Sequence, residues 1–187
     1  MLKSALRKQA LQQRNALTQA QANELNEALL AQFASLDFTH INSLHIYLPI
    51  VKHNEPNTFL LIDWLQKNHP NIVIVVPKSN FATHTISNYI YQGKADLKEN
   101  QYHIPEPQQA KPFLGMPDIV IVPLLAFDTN GYRVGYGKGF YDRFLENSQA
   151  QKIGLSFFDA IPQIIDVHLN DVRLDKCITP TKIINFN

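Results

Sequence analysis

The sequence predicts an α/β fold: a mostly parallel central sheet with helices on both faces. Three observations lead there. Ile72-Val73-Ile74-Val75-Val76 and, in Asp118-Ile119-Val120-Ile121-Val122, the four residues after Asp118 are apolar at consecutive positions rather than at alternate ones. A run with no polar side suits a strand covered above and below, as in a parallel sheet. The segment between the strand at 44–48 and that at 72–76 is helical in pattern and long enough for a right-handed crossover. Strand-like and helix-like segments then alternate to the end, without an internal repeat, low-complexity tract or long linker. At 187 residues the chain is expected to form one domain, 1–187, with a core that needs no staples.

Residues 2 to about 16 are rich in Ala, Leu, Gln, Lys and Arg, all good helix formers. Leu2, Leu6 and Ala10 are read as one face, and Lys3 and Arg7, four apart, as a separate and solvated stripe. Thr18-x-x-Gln21 has the form of a capping box for a second helix carrying Ala22, Leu25, Leu29 and Phe33 at helical spacing, so a helix hairpin opens the chain. Leu44-His45-Ile46-Tyr47-Leu48 is a buried strand stopped by Pro49. Pro56 is expected in the first turn of the next helix, which carries Phe59, Ile62 and Leu65 and ends near Asn68-His69-Pro70. The run at 72–76 is expected to close at Pro77. A weaker strand follows at 85–91, and Tyr102-His103-Ile104-Pro105-Glu106-Pro107 is stiff and extended. After the strand at 118–122 come an apolar stretch, the turn Asp128-Thr129-Asn130-Gly131, a Gly-rich loop and a helix from Phe140 to about Glu146. A strand at 152–157, a helical turn within 162–167 and a strand-like end over 171–180 complete the reading.

Composition narrows the function classes. The apolar fraction is 45%, the charged fraction 18% and the formal net charge +1. Such a chain has no field to recommend nucleic acid or a membrane surface as partner. Cys177 is the only cysteine, which excludes an intrachain disulfide and a multi-cysteine zinc site. The basic, amphipathic N-terminal segment has no apolar stretch behind it and does not read as a signal peptide, so a cytoplasmic location is expected. His45, His53, His69, His84, His103 and His168 are scattered, without metal-ligand spacing. There is no G-x-S-x-G nucleophile elbow.

The chemistry concentrates in Gly131-Tyr132-Arg133-Val134-Gly135-Tyr136-Gly137-Lys138-Gly139-Phe140-Tyr141-Asp142-Arg143. Gly135, Gly137 and Gly139 alternate with large side chains, so backbone N–H groups can approach an anion with no Cβ in the way. Lys138 stands between two of them, and Arg133 and Arg143 flank the loop. A tight turn is the plainer reading, but the glycines are denser than a turn needs. The pattern matches neither the P-loop nor the dinucleotide fingerprint. Asp142 is open to two readings: a carboxylate favoured by the start of a helix, or a ligand to Mg²⁺ bridging to bound phosphate, with Asp171 or Asp175 as second ligand. Glu55 either caps locally or accepts paired hydrogen bonds from a heterocycle. Tyr102, Tyr136 and Tyr141 suit stacking on a flat ring.

Taken with Lys3-x-x-x-Arg7, Asn54-Glu55-Pro56-Asn57-Thr58, Ile104-Pro105-Glu106-Pro107 and Val122-Pro123-Leu124-Leu125-Ala126-Phe127-Asp128, in that order along nearly the whole chain, the Arg133-to-Arg143 block closely resembles the 5-formyltetrahydrofolate cyclo-ligase family. The resemblance implies a three-layer α/β/α fold of the ribose-5-phosphate isomerase and CoA-transferase group. It also implies an enzyme that uses ATP and Mg²⁺ to convert 5-formyltetrahydrofolate to 5,10-methenyltetrahydrofolate. It assigns Lys3, Arg7, Arg133, Gly135, Tyr136, Gly137, Lys138, Gly139 and Tyr141 to the nucleotide, with Lys138, Tyr141 and Arg133 catalytic. Asp142 and Asp171, rather than Asp175, fall to the metal. Glu55, Tyr102, Tyr141 and Ile50 (or Leu48 of the same strand end) fall to a reduced folate as small-molecule substrate. No nucleic acid, membrane or obligate protein partner is implied. The competing classes are a non-catalytic nucleotide or folate binder, a related ATP-using enzyme acting on another heterocycle, and a sugar-phosphate isomerase; an isomerase has no use for the ATP loop or the aspartate pair.

Overall fold

The computed structural model describes residues 1–186. In chain order its elements are α1 (Lys3–Asn15), α2 (Gln19–Ala34), β1 (Ser43–Ile46), α3 (Thr58–Asn68), β2 (Val73–Asn80), β3 (Thr85–Ile90), β4 (Leu97–Glu99), β5 (Pro105–Pro107), β6 (Ile119–Val122), β7 (Ala126–Phe127), β8 (Arg133–Val134), α4 (Phe140–Leu145), β9 (Gln151–Leu155), β10 (Lys176–Ile178) and β11 (Ile183–Asn185). A seven-stranded sheet has the order β11-β10-β9-β6-β1-β2-β3. Its five central strands are parallel, and each edge strand is antiparallel to its neighbour. Small two-stranded ribbons, β4-β5 and β7-β8, lie outside it.

Register sorts the apolar runs onto two faces. Leu44 pairs with Ile74 and Ile119, and these join Ile46, Ile121, Ile153, Leu155 and Ile178 under Leu29 and Phe33 of α2 and Leu61, Ile62 and Leu65 of α3. The intervening residues Val120, Val122 and Cys177 face the other way, against Leu145 of α4, Leu124, Phe127 and Leu174. Both faces are therefore covered, as the uninterrupted runs require. At Gly154 of β9, which shares that second face, a Cβ would lie 2.6 Å from Leu124 Cδ2 and 2.8 Å from Leu174 Cδ1, both in buried residues. Gly154→Ala is expected to cost about 1–3 kcal/mol by overpacking, read as a lower urea midpoint with unchanged m.

The capping box forms as expected: Gln21 N–H donates to Thr18 Oγ1 (3.2 Å) and Thr18 N–H to Gln21 Oε1 (2.9 Å). The two opening helices find separate partners. α1 lies against β7 and β8, and α2 against α3 and β10. The buried stripe of α1 is Lys3, Leu6, Ala10 and Arg14, with Arg7 partly buried and Leu2 exposed. The separate apolar face and solvated basic stripe expected for this helix are therefore corrected: the cations turn inward on the side that carries Leu6 and Ala10.

Other expectations shift for local reasons. β2 runs through Pro77 to Asn80. The Ile74 carbonyl accepts from Tyr91 N–H, so alternate residues from Ile74 point their polar groups at β3. Pro77 faces the opposite side, beyond the last β1 pair at Val75, where its missing N–H costs no ladder bond. Pro56 precedes α3, whose N-cap is Asn57, accepting from Phe59 N–H at 3.2 Å. The expected turn of helix within 162–167 is irregular backbone, held where the Asp128 carboxylate accepts from Ile164 N–H (3.0 Å). Of the stretch 171–180 only Lys176–Ile178 is strand.

Candidate active site

Beyond the carboxyl ends of β1 and β6, and between α1, the 47–55 segment and the loop after β8, lies a cavity of about 750 Å³. Open sheets place ligands at strand carboxyl ends. Every residue that the family resemblance assigns lines it: Lys3, Arg7, Ile50, Glu55, Tyr102, Arg133, Gly135, Tyr136, Gly137, Lys138, Gly139, Tyr141, Asp142 and Asp171, whereas Asp175 does not. These come from both ends and the middle of the chain, so the fold gathers what the sequence scatters.

The Gly-rich loop is shaped by its glycines. Gly137 (φ 88°) and Gly139 (φ 68°) take left-handed conformations that side chains resist. At Gly137 a Cβ would also meet the Arg7 guanidinium at 3.1 Å. Arg7 Nε donates to the Gly135 carbonyl (2.9 Å), and Arg143 Nη1 to the Lys138 carbonyl (2.9 Å). Two arginines thus hold two of the loop carbonyls. Among the described residues no protein acceptor takes the backbone N–H groups of 136–139. Lys138 itself is exposed.

Two carboxylates stand at one side. Asp142 Oδ1 accepts from Arg133 Nη2 (2.8 Å) and from Val172 N–H (3.2 Å). Arg133 also donates to the Val172 carbonyl. Burial pulls the Arg133 pKa below its ordinary value, and the neighbouring Asp142 and then Asp171 oppose that pull. Asp171 Oδ2 is paired with Lys3 Nζ and accepts from His168 N–H (2.6 Å). The backbone N–H of Lys3 donates to Asp166 Oδ1 (2.8 Å), fixing the start of α1 over this corner. One oxygen of each aspartate, Asp142 Oδ2 and Asp171 Oδ1, has no protein hydrogen bond among the described residues. No cluster of three or more His, Cys, Asp or Glu side chains able to hold a metal occurs among them either. That donor set fits Mg²⁺, which takes one or two carboxylates and completes its shell with phosphate and water, and does not fit a protein-caged ion.

On the opposite side Glu55 is buried. Its Oε1 accepts from the Tyr136 hydroxyl (2.6 Å) and its Oε2 from Ile50 N–H (2.7 Å). Burial raises the Glu55 pKa, while Arg14, the Ile50 N–H and Tyr136 lower it. Arg14, which the sequence reading passed over, donates from Nη2 to the Tyr136 hydroxyl (2.7 Å) and from Nη1 to the Leu124 carbonyl (3.3 Å). Its signal was in the sequence: positions 3, 7 and 14 fall on one stripe of a helix. At the mouth Tyr102, 47% exposed, stacks on Phe81 with ring centroids 4.0 Å apart, and Phe140 meets Phe81 edge-on. Phe81 had no pattern to mark it.

Comparison with known proteins identifies the family. The sequence model of the 5-formyltetrahydrofolate cyclo-ligase family matches residues 1–180. The chain belongs to that family. A 5-formyltetrahydrofolate cyclo-ligase of Escherichia coli K12 is 27% identical over 187 residues, covering 92% of this chain and 97% of the relative. The solved structure of the 5,10-methenyltetrahydrofolate synthetase of Aquifex aeolicus superposes with a TM-score of 0.84 at 28% identity, over 100% of this chain and 94% of the other. The 5,10-methenyltetrahydrofolate synthetase of Mycoplasma pneumoniae does so at 0.72 and 29%, over 95% and 98%. Among the described residues no helix is long and apolar enough to cross a membrane.

Proposed function

We propose that the chain catalyses the ATP- and Mg²⁺-dependent cyclisation of 5-formyltetrahydrofolate to 5,10-methenyltetrahydrofolate, with release of ADP and phosphate. The observation that carries this is the single cavity lined both by the Gly-rich loop with its cations and by Glu55, Ile50 and Tyr102. Membership of the cyclo-ligase family supports it. A formyl oxygen is a poor leaving group; once phosphorylated it is a good one, and N10 of the folate can attack the activated carbon, close the ring and expel phosphate. Catalysis of this kind is mostly positioning and charge stabilisation.

The residues divide the work by side. Lys3, Arg7, Tyr136, Lys138 and the N–H groups of the 135–139 loop hold the nucleotide, with Arg133 and Lys138 stabilising charge that develops on the transferring group. Asp142 and Asp171 offer their free oxygens to Mg²⁺, whose chemistry is to neutralise phosphate charge. Glu55, Ile50 and Tyr102 hold the folate, and Tyr141 serves the reacting groups. The whole chain acts as one domain in the cytoplasm, on a scaffold of the ribose-5-phosphate isomerase and CoA-transferase type. The direct test is absorbance growth in the methenyl-folate band on mixing protein, 5-formyltetrahydrofolate, Mg²⁺ and ATP. Growth that requires all four is expected; none with folded protein would remove the assignment. Asp142→Asn is expected to shift the Mg²⁺ titration of turnover to higher concentration by about tenfold, as for loss of one charged contact of 1.5 kcal/mol or so. An unchanged titration would count against ligation.

A further inference from the structure

His45 lies in β1, an inner strand of the sheet, wholly buried in a run of apolar neighbours. It does not line the cavity. An imidazole in such a place needs partners for both nitrogens. Nδ1 is 3.0 Å from Asn88 Oδ1, and Nε2 is 3.0 Å from the hydroxyl of Tyr141, which does line the cavity. The ring packs edge-to-face on Tyr141 and against Phe144 of α4. No other protein group bonds the Tyr141 hydroxyl among the described residues.

The protons can be counted. Burial lowers the His45 pKa to about 4, so the neutral ring carries one proton. A tyrosine phenol keeps its own proton at neutral pH. Asn88 Oδ1 only accepts, so the imidazole proton is on Nδ1 and Nε2 is bare. The one group that can fill the Nε2 contact is then the Tyr141 O–H. We infer that His45 is a positioning residue: it accepts the Tyr141 hydroxyl proton and thereby turns the Tyr141 oxygen to the cavity as a hydrogen-bond acceptor for a substrate N–H.

This rests on the reading of the cavity as a reduced-folate site, and it makes that reading more specific. A formyl oxygen and a phosphate oxygen are acceptors, and a tyrosine whose proton is committed elsewhere does not donate to them. The second tyrosine behaves alike: Tyr136 donates to Glu55 and accepts from Arg14. Donors to the anionic parts are then Lys3, Arg7, Arg133, Lys138 and the loop N–H groups. Tyr141 is matched to a secondary amine, the N10–H of the folate. Held through its hydrogen, that nitrogen keeps its lone pair for attack on the formyl carbon.

The tautomer is measurable without turnover. In ¹⁵N-histidine-labelled protein at pH 7, the His45 ring is expected as the neutral Nδ1–H form, with Nε2 at the shift of a bare, hydrogen-bonded nitrogen. Tyr141→Phe, which keeps the ring packing, should move that Nε2 signal and so also assigns it. An Nε2–H tautomer would overturn the inference, because Tyr141 would then accept from His45 and donate to the cavity. Kinetics supply a second arm. His45→Leu is expected to raise the KM for 5-formyltetrahydrofolate about three- to tenfold, the range for one neutral hydrogen bond, with the KM for ATP unchanged. His45→Gln, which can restore an acceptor, should recover most of the loss, and His45→Leu should add nothing in the Tyr141→Phe background. Equal losses for both substrates, or additive losses in the double variant, would overturn it. Absence of cyclo-ligase turnover would sink the proposed function while leaving the NMR result to decide the direction of the bond.

Discussion

Lys138→Ala should lower kcat by about 10²–10³, the usual cost of removing one preorganised donor from a developing oxyanion, while leaving the fold intact. The separation of the two effects follows from how the loop is built. Lys138 is exposed, and its neighbours Gly137 and Gly139 hold their conformations by backbone freedom rather than by side-chain packing. The loop is pinned through carbonyls, by Arg7 on Gly135 and by Arg143 on Lys138 itself, and neither contact uses the lysine side chain. Deleting the ammonium therefore removes charge from the cavity without moving the N–H groups around it. Thermal unfolding should change little, as for other exposed substitutions, within about 0.5 kcal/mol. Lys138→Arg should retain part of the activity, because charge survives at a different shape. Turnover of the alanine variant within a few-fold of the parent protein would remove Lys138 from the chemistry.

Acid should destabilise the protein through His45 by about 3 kcal/mol between neutral pH and pH 4. The sign follows from which state binds the proton first. The ordinary histidine pKa is 6.5, and burial lowers that of folded His45 to about 4. As pH falls between these values the unfolded chain takes up a proton that the folded one refuses. Stability is complete above about 6.5 and is lost progressively down to about 4, at 1.36 kcal/mol for each pH step within that window. The facing groups, Asn88, Tyr141 and Phe144, include no carboxylate to rescue the imidazolium. Urea midpoints measured from pH 7.5 to 4.0 should fall more steeply for the parent protein than for His45→Gln, and the difference isolates this histidine from the acidic residues. Parallel curves would mean that His45 protonates without cost in the folded state.

These two residues also mark what the sequence discloses and what it withholds. Lys138 is legible because its signal is local: alternating glycines can be seen without knowing the fold. The parallel core is legible for the same reason, since unbroken runs such as 72–76 and 119–122 specify cover on both faces by themselves. Thr18 and Gln21 announce α2 within four residues. His45 has no such signature. It sits inside an apolar run, and its partners Asn88 and Tyr141 are 43 and 96 residues away. Arg14 was hidden differently: charge argues for solvent, and only the position of Tyr136 across the cavity turns it inward. Pro77 misled because a proline stops a strand only where its N–H would face a partner. The ribbon of β7 and β8 pairs only two residues on each side, too few for alternation to appear. The site residues were found by short motifs; their meeting in one cavity depended on strand order, which no local pattern carries.

The central claim is that one cavity couples nucleotide cleavage to ring closure. It is tested most directly by counting ADP and 5,10-methenyltetrahydrofolate in the same reaction, with 5-formyltetrahydrofolate, ATP and Mg²⁺ supplied. One ADP for each methenyl product is expected, with neither product forming when the folate or the ATP is left out. Methenyl product without ADP, or ADP released at the same rate without folate, would contradict it.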